Sequence, residues 1–371
     1  MAYALKIGVL YLRIVYCFLK FLPKEDKIVF LSRQSNHKSI DFQLIEEEVL
    51  KRGNYKLVFI FKTFNKNYFD YFLCVHKKMY HLATSKICIV DSYVEVVSVL
   101  NHKDLKVIQI WHSMAAIKKF GYQSIDKKMG RKSSVSEAIK MHRNYDLIIS
   151  GSDEMAEYFS EAFNSIKVLS LGLPRIDYLV NNKDLIRDMY KDKINKPIVL
   201  YAPTFRDGVD KLAYSLIDNF DFENFDLIVK LHPKTKIKVT DDRLKTDLKM
   251  NTMKLLPLVD YVITDYSAIS VEASAIDKKV FFYIDDYDEY IKDNGVNINI
   301  KEEFSELVVT KDNIVDKLNS EYNYEKLKEI KSRFVKATDG KITERLVDII
   351  LESSRWFDEH ESNVSLFSKK I

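Results

Sequence analysis

The sequence predicts an α/β protein built on mostly parallel sheets, and three observations carry that expectation. Short apolar runs rich in β-branched residues recur along the chain, each followed by a stretch whose apolar residues return at helical spacing. The series runs twice, with a polar, charged stretch at 181–195 between its halves, so two α/β domains are expected. The apolar runs also end repeatedly in hydroxyl, imidazole or cationic residues, at the carboxyl ends of strands where open α/β sheets bind ligands. The 371 residues suffice for two domains of ordinary size. At 47% apolar and 30% charged residues the chain is globular rather than disordered. A net charge of +4 is too mild to imply nucleic acid, and none is expected as a partner; the charge suits an anionic membrane surface as well. Cys17, Cys74 and Cys88 lack CxxC spacing, which argues against a disulfide framework or a zinc site and for a reducing compartment.

The first segment, 1–25, opens with the strongly apolar run MAYALKIGVLYLRIVYCFLKFL. No small-residue cleavage site follows it, which argues against a secretory signal. A spanning helix would hold Arg13 near its centre, at a cost of about 2.5–3.5 kcal/mol. Lys6, Arg13 and Lys20 recur at heptad intervals and form one stripe on a helix, with Lys24 close by and Tyr3, Tyr11 and Tyr16 available for a lipid interface. That pattern favours a helix lying in the membrane surface. A helix packed on the domain with snorkelling cations is the alternative.

In the first domain, 26–185, strands are expected at Lys27–Ser32, Lys56–Lys62, Lys86–Asp91, Val107–Trp111, Tyr145–Ser150 and Lys167–Leu171, with helices at Asp41–Arg52 and Tyr68–Lys78. After Trp111 come His112, Ser113 and Met114, then Lys118, Lys119, Phe120 and Gly121. A histidine at a strand exit, beside a hydroxyl and ahead of cations, suits a base next to an anion pocket; a histidine capping a loop is the other reading. Gly151–Glu154 reads as a capped helix start, and Leu173–Asp177 as a turn carrying the cation Arg175.

In the second domain, 186–345, Pro197–Tyr201 exits into Thr204, Phe205 and Arg206, and Phe225–Leu231 into His232, Pro233 and Lys234. Tyr261–Thr264 exits into Asp265, Tyr266 and Ser267, a turn expected to cap the helix Ala268–Ile276 ahead of a strand at Val280–Ile284. Free backbone N–H groups at that helix start favour a phosphate. Thr264, Ser267 and Ser270 can add hydroxyl donors, and Glu272 can accept from ribose hydroxyls. Each feature alone fits an ordinary βαβ unit. Together, three successive strand ends carrying Thr204 and Arg206, His232, and Thr264–Ser267 describe a diphosphate pocket. Asp286 and Asp288 form a DxD pattern, read either as a polar loop or as a divalent metal site. The basic groups allow a diphosphate to be neutralised without metal, and no metal or cofactor is expected. The Rossmann glycine fingerprint, the Walker loop and the GxSxG elbow are absent from the sequence, which disfavours dinucleotide, ATPase and α/β-hydrolase chemistry. The last segment, 346–371, comprises most of an amphipathic helix expected at Ile342–Trp356 and a polar tail.

Six stretches then gain meaning from their order. They are Trp111-His112-Ser113 with Lys118-Lys119-Phe120-Gly121, Gly172-Leu173-Pro174-Arg175-Ile176-Asp177, and Tyr201-Ala202-Pro203-Thr204-Phe205-Arg206-Asp207. Leu231-His232-Pro233, Ile263-Thr264-Asp265-Tyr266-Ser267 and Asp339-Gly340-Lys341 complete the set. The set resembles the motifs of the CDP-glycerol glycerophosphotransferases of teichoic-acid synthesis, over roughly residues 27–350, and the length resembles the short members, which include primases. Ser113, Met114 and Ala268 depart from the usual Gly, Thr and Ser, which leaves the acceptor geometry and the donor polyol open.

The resemblance implies a GT-B fold of two Rossmann-like domains, with the acceptor bound by the first, the CDP-polyol by the second, and the final helix crossing back to the first. It further implies a polyprenyl-diphosphate-linked saccharide acceptor and a peripheral or monotopic position on the cytoplasmic face of the cell membrane. The implied reaction is attack of an acceptor hydroxyl on the β-phosphorus of CDP-glycerol, or of CDP-ribitol, with loss of CMP. His112 would be the base. Arg206, His232 and the Thr264–Ser267 helix start would stabilise the diphosphate, with Thr204, Asp265 and Ser270 lining it and Glu272 on the ribose. Ser113, Lys118, Lys119 and Arg175 would face the acceptor. A nucleotide-sugar glycosyltransferase of the same fold, or a catalytically silent membrane-binding module, are the competing readings.

Overall fold

A computed structural model describes residues 2–64, 67–102 and 104–352. The chain forms two compact units: unit 1 holds Met1–Met114, Lys119–Arg175 and the residues from Lys341 on, and unit 2 holds Ala115–Lys118 and Ile176–Gly340. The division thus falls at Arg175, ahead of the 185/186 boundary expected from composition, and four residues after Met114 are transferred to unit 2.

Among the described residues unit 1 contains six strands, β1 (Glu25–Ser32), β2 (Lys56–Phe61), β3 (Ser85–Val90), β4 (Lys106–Gln109), β5 (Leu147–Ser150) and β6 (Val168–Ser170). Unit 2 contains five, β7 (Ile198–Tyr201), β8 (Asp226–Val229), β9 (Tyr261–Thr264), β10 (Lys279–Tyr283) and β11 (Val308–Val309). The sheet orders are β2-β1-β3-β4-β5-β6 and β11-β10-β9-β7-β8, and every pairing is parallel. Both units therefore share one winding scheme. The first strand of each, β1 or β7, lies between the second and the third, and the winding direction reverses there, the switch point at which α/β sheets open a crevice. Parallel strands covered on both faces need unbroken apolar runs. Ile28–Leu31 in β1 and all of β7 are accordingly buried, each large side chain contributing about 1.5–3 kcal/mol.

Four element ends differ from expectation for physical reasons. β3 and β4 stop at Val90 and Gln109, so Asp91, Trp111 and His112 lie beyond the sheet; Trp111 has φ 53°, incompatible with a strand. The second helix of the chain, α2 (Ile40–Arg52), follows Ser39, whose Oγ accepts the Phe42 N–H at 3.2 Å. α3 (Tyr68–Thr84) outruns its expected end at Lys78, because Met79, Leu82 and Ala83 extend its buried face straight into β3. The helix Ile342–Leu351 belongs to unit 1 and packs on α2, with Arg52 3.0 Å from Asp348. Its expected continuation to Trp356, and the tail, lie outside the described residues.

The helix α1 (Ala2–Leu19) is packed along one side. Tyr16 is buried with its hydroxyl 2.9 Å from His102 Nδ1, Arg13 Nε donates to the Val99 carbonyl at 3.0 Å, and Tyr11 Oη lies 2.9 Å from His76 Nε2 on α3. Tyr16 is thus a core residue, not a member of an exposed aromatic belt. The other side is bare: Tyr3, Ile7, Leu10, Ile14 and Phe18 form an exposed apolar stripe, bordered by Lys6, Arg13 and Lys20. Among the described residues no helix is long and apolar enough to cross a membrane.

Candidate functional site

In unit 1 the functional groups gather where β1, β3 and β4 end. Trp111 adopts φ 53°, a left-handed conformation that is an outlier for a bulky residue and costs of order 1–3 kcal/mol. Its surroundings hold it there. The Trp111 N–H donates to Gln109 Oε1 at 2.9 Å, and its ring stacks on Phe120 at 5.1 Å and meets Phe163 edge-on at 5.2 Å. Gly121 of the same motif is forced, since a Cβ there would stand 2.2 Å from the Ala162 carbonyl oxygen.

The turned backbone leaves His112 exposed, with Nδ1 3.2 Å from the Asp91 carbonyl oxygen and 3.1 Å from the Gln34 side-chain amide. A carbonyl only accepts, whereas the Gln34 amide can present either end by rotation. In the neutral ring Nδ1 therefore carries the hydrogen, and the lone pair sits on Nε2. Arg175 fixes the main chain of this histidine. Its Nη1 donates to the His112 carbonyl at 3.1 Å, while its Nε donates to Asp41 at 3.0 Å and its backbone N–H to the same carboxylate at 2.9 Å. The guanidinium expected to face an acceptor is thus engaged by a buried aspartate.

Asp91, not anticipated from the sequence, is 4% exposed, and among the described residues its Oδ1 has no hydrogen-bond partner. Burial raises its pKa to about 6, against hydrogen bonds from Ser32 and Ser92 that lower it. It follows an apolar strand as His112 does, and the strand-exit rule reaches it once β3 ends at Val90. Ser113 is half-buried next to His112. The two lysines expected to act together divide: Lys119 belongs to unit 1 and Lys118 to unit 2.

In unit 2 the switch point between β7 and β9 is filled by an ion-pair cluster. Arg206 is buried, with Nη1 donating to Asp265 and to the Thr204 carbonyl at 3.0 Å, Nε donating to Asp286, and Nη2 donating to Asp286 at 3.1 Å. The guanidinium also lies 5.7 Å over the rings of Tyr266 and Tyr290, which stack at 3.8 Å. Burial disfavours its charge, but the two carboxylates outweigh that and raise its pKa. Asp265, fully buried, also accepts the Thr204 N–H at 2.9 Å. Arg206 and Asp265, expected to line a diphosphate, thus hold each other. Of the DxD pair, Asp286 is engaged by Arg206, while Asp288 is 3.8 Å from Lys301.

The hydroxyls divide similarly. Thr264 Oγ1 donates to the Ala202 carbonyl at 2.7 Å, and Ser270 Oγ to the Ser267 carbonyl at 2.9 Å, so both are committed to backbone. Thr204 Oγ1 is buried and has no partner among the described residues. Ser267 Oγ accepts the Ile269 N–H at 3.5 Å. The cap of the helix Ile269–Ala275 is Ala268, without a side-chain bond, because Asp265 is turned to Thr204 and Arg206. Glu272 is buried in that helix.

His232, beyond β8, accepts the Lys234 N–H on Nδ1 at 3.1 Å and packs near Phe205, ring centroids 5.8 Å apart. The hydrogen of its neutral ring must then be on Nε2. Partial desolvation, with Lys118 and Lys234, pushes its pKa down to about 4, so near neutral pH the ring is an uncharged donor.

A family model described as CDP-Glycerol:Poly(glycerophosphate) glycerophosphotransferase matches residues 14–352. A teichoic acid glycerol-phosphate primase of Bacillus subtilis (strain 168) is 30% identical, over 92% of this chain and 95% of its own. A teichoic acid ribitol-phosphate primase of Bacillus spizizenii is 26% identical, over 88% and 91%. Among solved structures, the wall teichoic acid polymerase TagF superposes with TM-score 0.71 at 19% identity, over 97% of this chain and 99% of that one, a likeness of fold.

Proposed function

This chain belongs to the CDP-Glycerol:Poly(glycerophosphate) glycerophosphotransferase family, and from that membership we propose that it transfers glycerol phosphate from CDP-glycerol to a lipid-linked acceptor in teichoic-acid synthesis. The observation that carries the reading is the pair of imidazoles. His112 offers an Nε2 lone pair and His232 an Nε2–H. His112 Nε2 takes the proton of the acceptor hydroxyl as its oxygen forms a bond to the β-phosphorus. The bond from that phosphorus to the bridging oxygen breaks, and CMP leaves with the oxygen. His232 donates to the diphosphate as charge moves onto it, a positioned electrostatic contribution that needs no rearrangement at the moment of reaction. Thr204 and Ser267 add hydroxyls at neighbouring strand ends, and Glu272 is assigned to the ribose. Arg175 and Trp111 act through His112 by fixing its backbone, and Ser113 and Lys119 are assigned to the acceptor.

Incubating the protein with CDP-glycerol, CDP-ribitol or UDP-glucose and a lipid-linked acceptor analogue tests this. CMP from CDP-glycerol is expected, with CDP-ribitol the nearest substitute, since a ribitol-phosphate primase is among the relatives. UDP released from UDP-glucose would overturn the phosphotransferase reading.

The same reading puts the protein on the cytoplasmic face of the membrane through the bare stripe of α1, with apolar residues entering the interface and the bordering cations at headgroup level. Ile14→Glu with Phe18→Glu should then abolish pelleting with anionic vesicles while CDP binding persists. Unchanged pelleting removes α1 from the interface.

A further inference from the structure

We propose that Lys118 binds the diphosphate of the donor, as a cation built into unit 2, and does not serve the acceptor. The inference rests on the CDP-polyol reading above and adds a residue to it. The motif that holds Lys118 is continuous with His112 in sequence, yet the chain carries Ala115–Lys118 into unit 2 and anchors it there. The Asn297 N–H donates to the Ile117 carbonyl at 2.7 Å, Asn297 Nδ2 donates to the Ala116 carbonyl at 2.8 Å, and Lys118 forms an isolated antiparallel bridge with Val296. Ala115, Ala116 and Ile117 are buried, so the position from which the lysine emerges is set by unit 2.

Charge then decides what the lysine is for. Arg206, the residue expected to neutralise a diphosphate, is shared between Asp265 and Asp286. That trio carries more negative charge than positive and cannot attract an anion on its own. His232 contributes a neutral N–H. The nearby cations are Lys234 and Lys118, and among the described residues Lys118 Nζ makes no hydrogen bond or ion pair. Lys118 is half-buried and close enough to Asp265, Lys234, Arg206 and His232 for their charges to bear on one another. Burial lowers its pKa, Asp265 opposes that, and Lys234 and Arg206 add to it. A partly desolvated ammonium without a contacting counter-charge is costly by itself and becomes favourable once a ligand supplies the anion. An ammonium is a point charge with three donors, suited to bridging phosphate oxygens.

The test is calorimetric titration of CDP and of CMP into wild type, Lys118→Met and Lys118→Arg. Lys118→Met should weaken CDP about tenfold to a hundredfold, the worth of one charge-assisted hydrogen bond, and CMP by less. Lys118→Arg, which keeps the charge, should retain most of the affinity. An unchanged thermal unfolding midpoint establishes that the variants are folded. A Lys118→Met protein that binds CDP as wild type does, while acceptor-dependent turnover collapses, overturns this proposal alone. A wild type that binds no CDP overturns the donor reading and this proposal with it.

Discussion

His112 follows β4 in unit 1 with its Nδ1 3.2 Å from the Asp91 carbonyl, which can only accept; His232 follows β8 in unit 2 with its Nδ1 3.1 Å from the Lys234 N–H, which can only donate. Two imidazoles at strand exits of the same winding scheme thus present opposite Nε2 atoms, one a lone pair and one an N–H. A single backbone contact to the far nitrogen makes the difference and divides the labour between base and electrostatic donor. The carboxylates at the two switch points differ in parallel. Asp265 follows β9 and is neutralised by Arg206. Asp91 follows the equivalent strand β3, keeps an unpartnered oxygen, and has its pKa raised to about 6. One unit locks its switch point with an ion pair, and the other leaves a protonatable group beside its histidine.

Each half of that contrast can be broken separately. The largest effect is expected from His112→Ala, which should lower turnover by about 10²–10⁴, the usual worth of a general base, while calorimetry finds CDP affinity unchanged. Near-normal turnover would remove His112 from the chemistry. Arg206→Met should act through stability, because it leaves Asp265 buried without a counter-charge. A loss of about 3–5 kcal/mol in denaturant unfolding is expected. Full stability with lost CDP binding would instead make Arg206 a direct ligand.

His232→Ala should weaken CDP by about tenfold to a hundredfold, and His232→Asn, which keeps a donor, should recover part of it. The corresponding His112→Asn should recover nothing, since an amide is not a base. Equal behaviour of the two Asn variants would collapse the contrast. The smallest effect concerns Asp91. Its folded pKa of about 6 lies above the ordinary carboxylate value of about 3.9, so the folded state keeps a proton that the unfolded chain releases. That contribution is fully present below the ordinary value and is lost as pH rises to about 6. Asp91→Asn should therefore unfold at a midpoint that gains on wild type between these pH values and stays level above them. A constant offset across the range would mean that Asp91 is ionised in the fold.

The apolar strands were legible because parallel sheets demand unbroken β-branched runs, as in KIVFLS and PIVLY. The strand-exit rule then singled out His112, His232 and Arg206, which lie beyond β4, β8 and β7. What it could not find were partners distant in sequence. Arg175 meets Asp41 and Arg206 meets Asp265 and Asp286 only after the sheets form, and no spacing in the chain reports such pairs. Reading Arg206 as free for a ligand followed from that. The hydroxyls of Thr264 and Ser270 looked available for a similar reason, although Ser270 bonding to the Ser267 carbonyl is a local pattern that its helical position allows. Lys118 was read with His112 because they are neighbours in sequence, whereas the bonds to Ala116 and Ile117 carry it into the other unit. The left-handed Trp111 left no trace in composition, since strain of that kind is imposed by tertiary packing.

The central claim, that the two histidines are held in opposite tautomers, is tested most directly by nitrogen NMR of histidine-labelled protein at a pH where both rings are neutral, with His112→Asn and His232→Asn supplying the assignments. His112 should show a protonated Nδ1 and a bare Nε2, and His232 a bare Nδ1 and a protonated Nε2. The same tautomer on both rings, or the reverse pair, would contradict the assignment of base and donor.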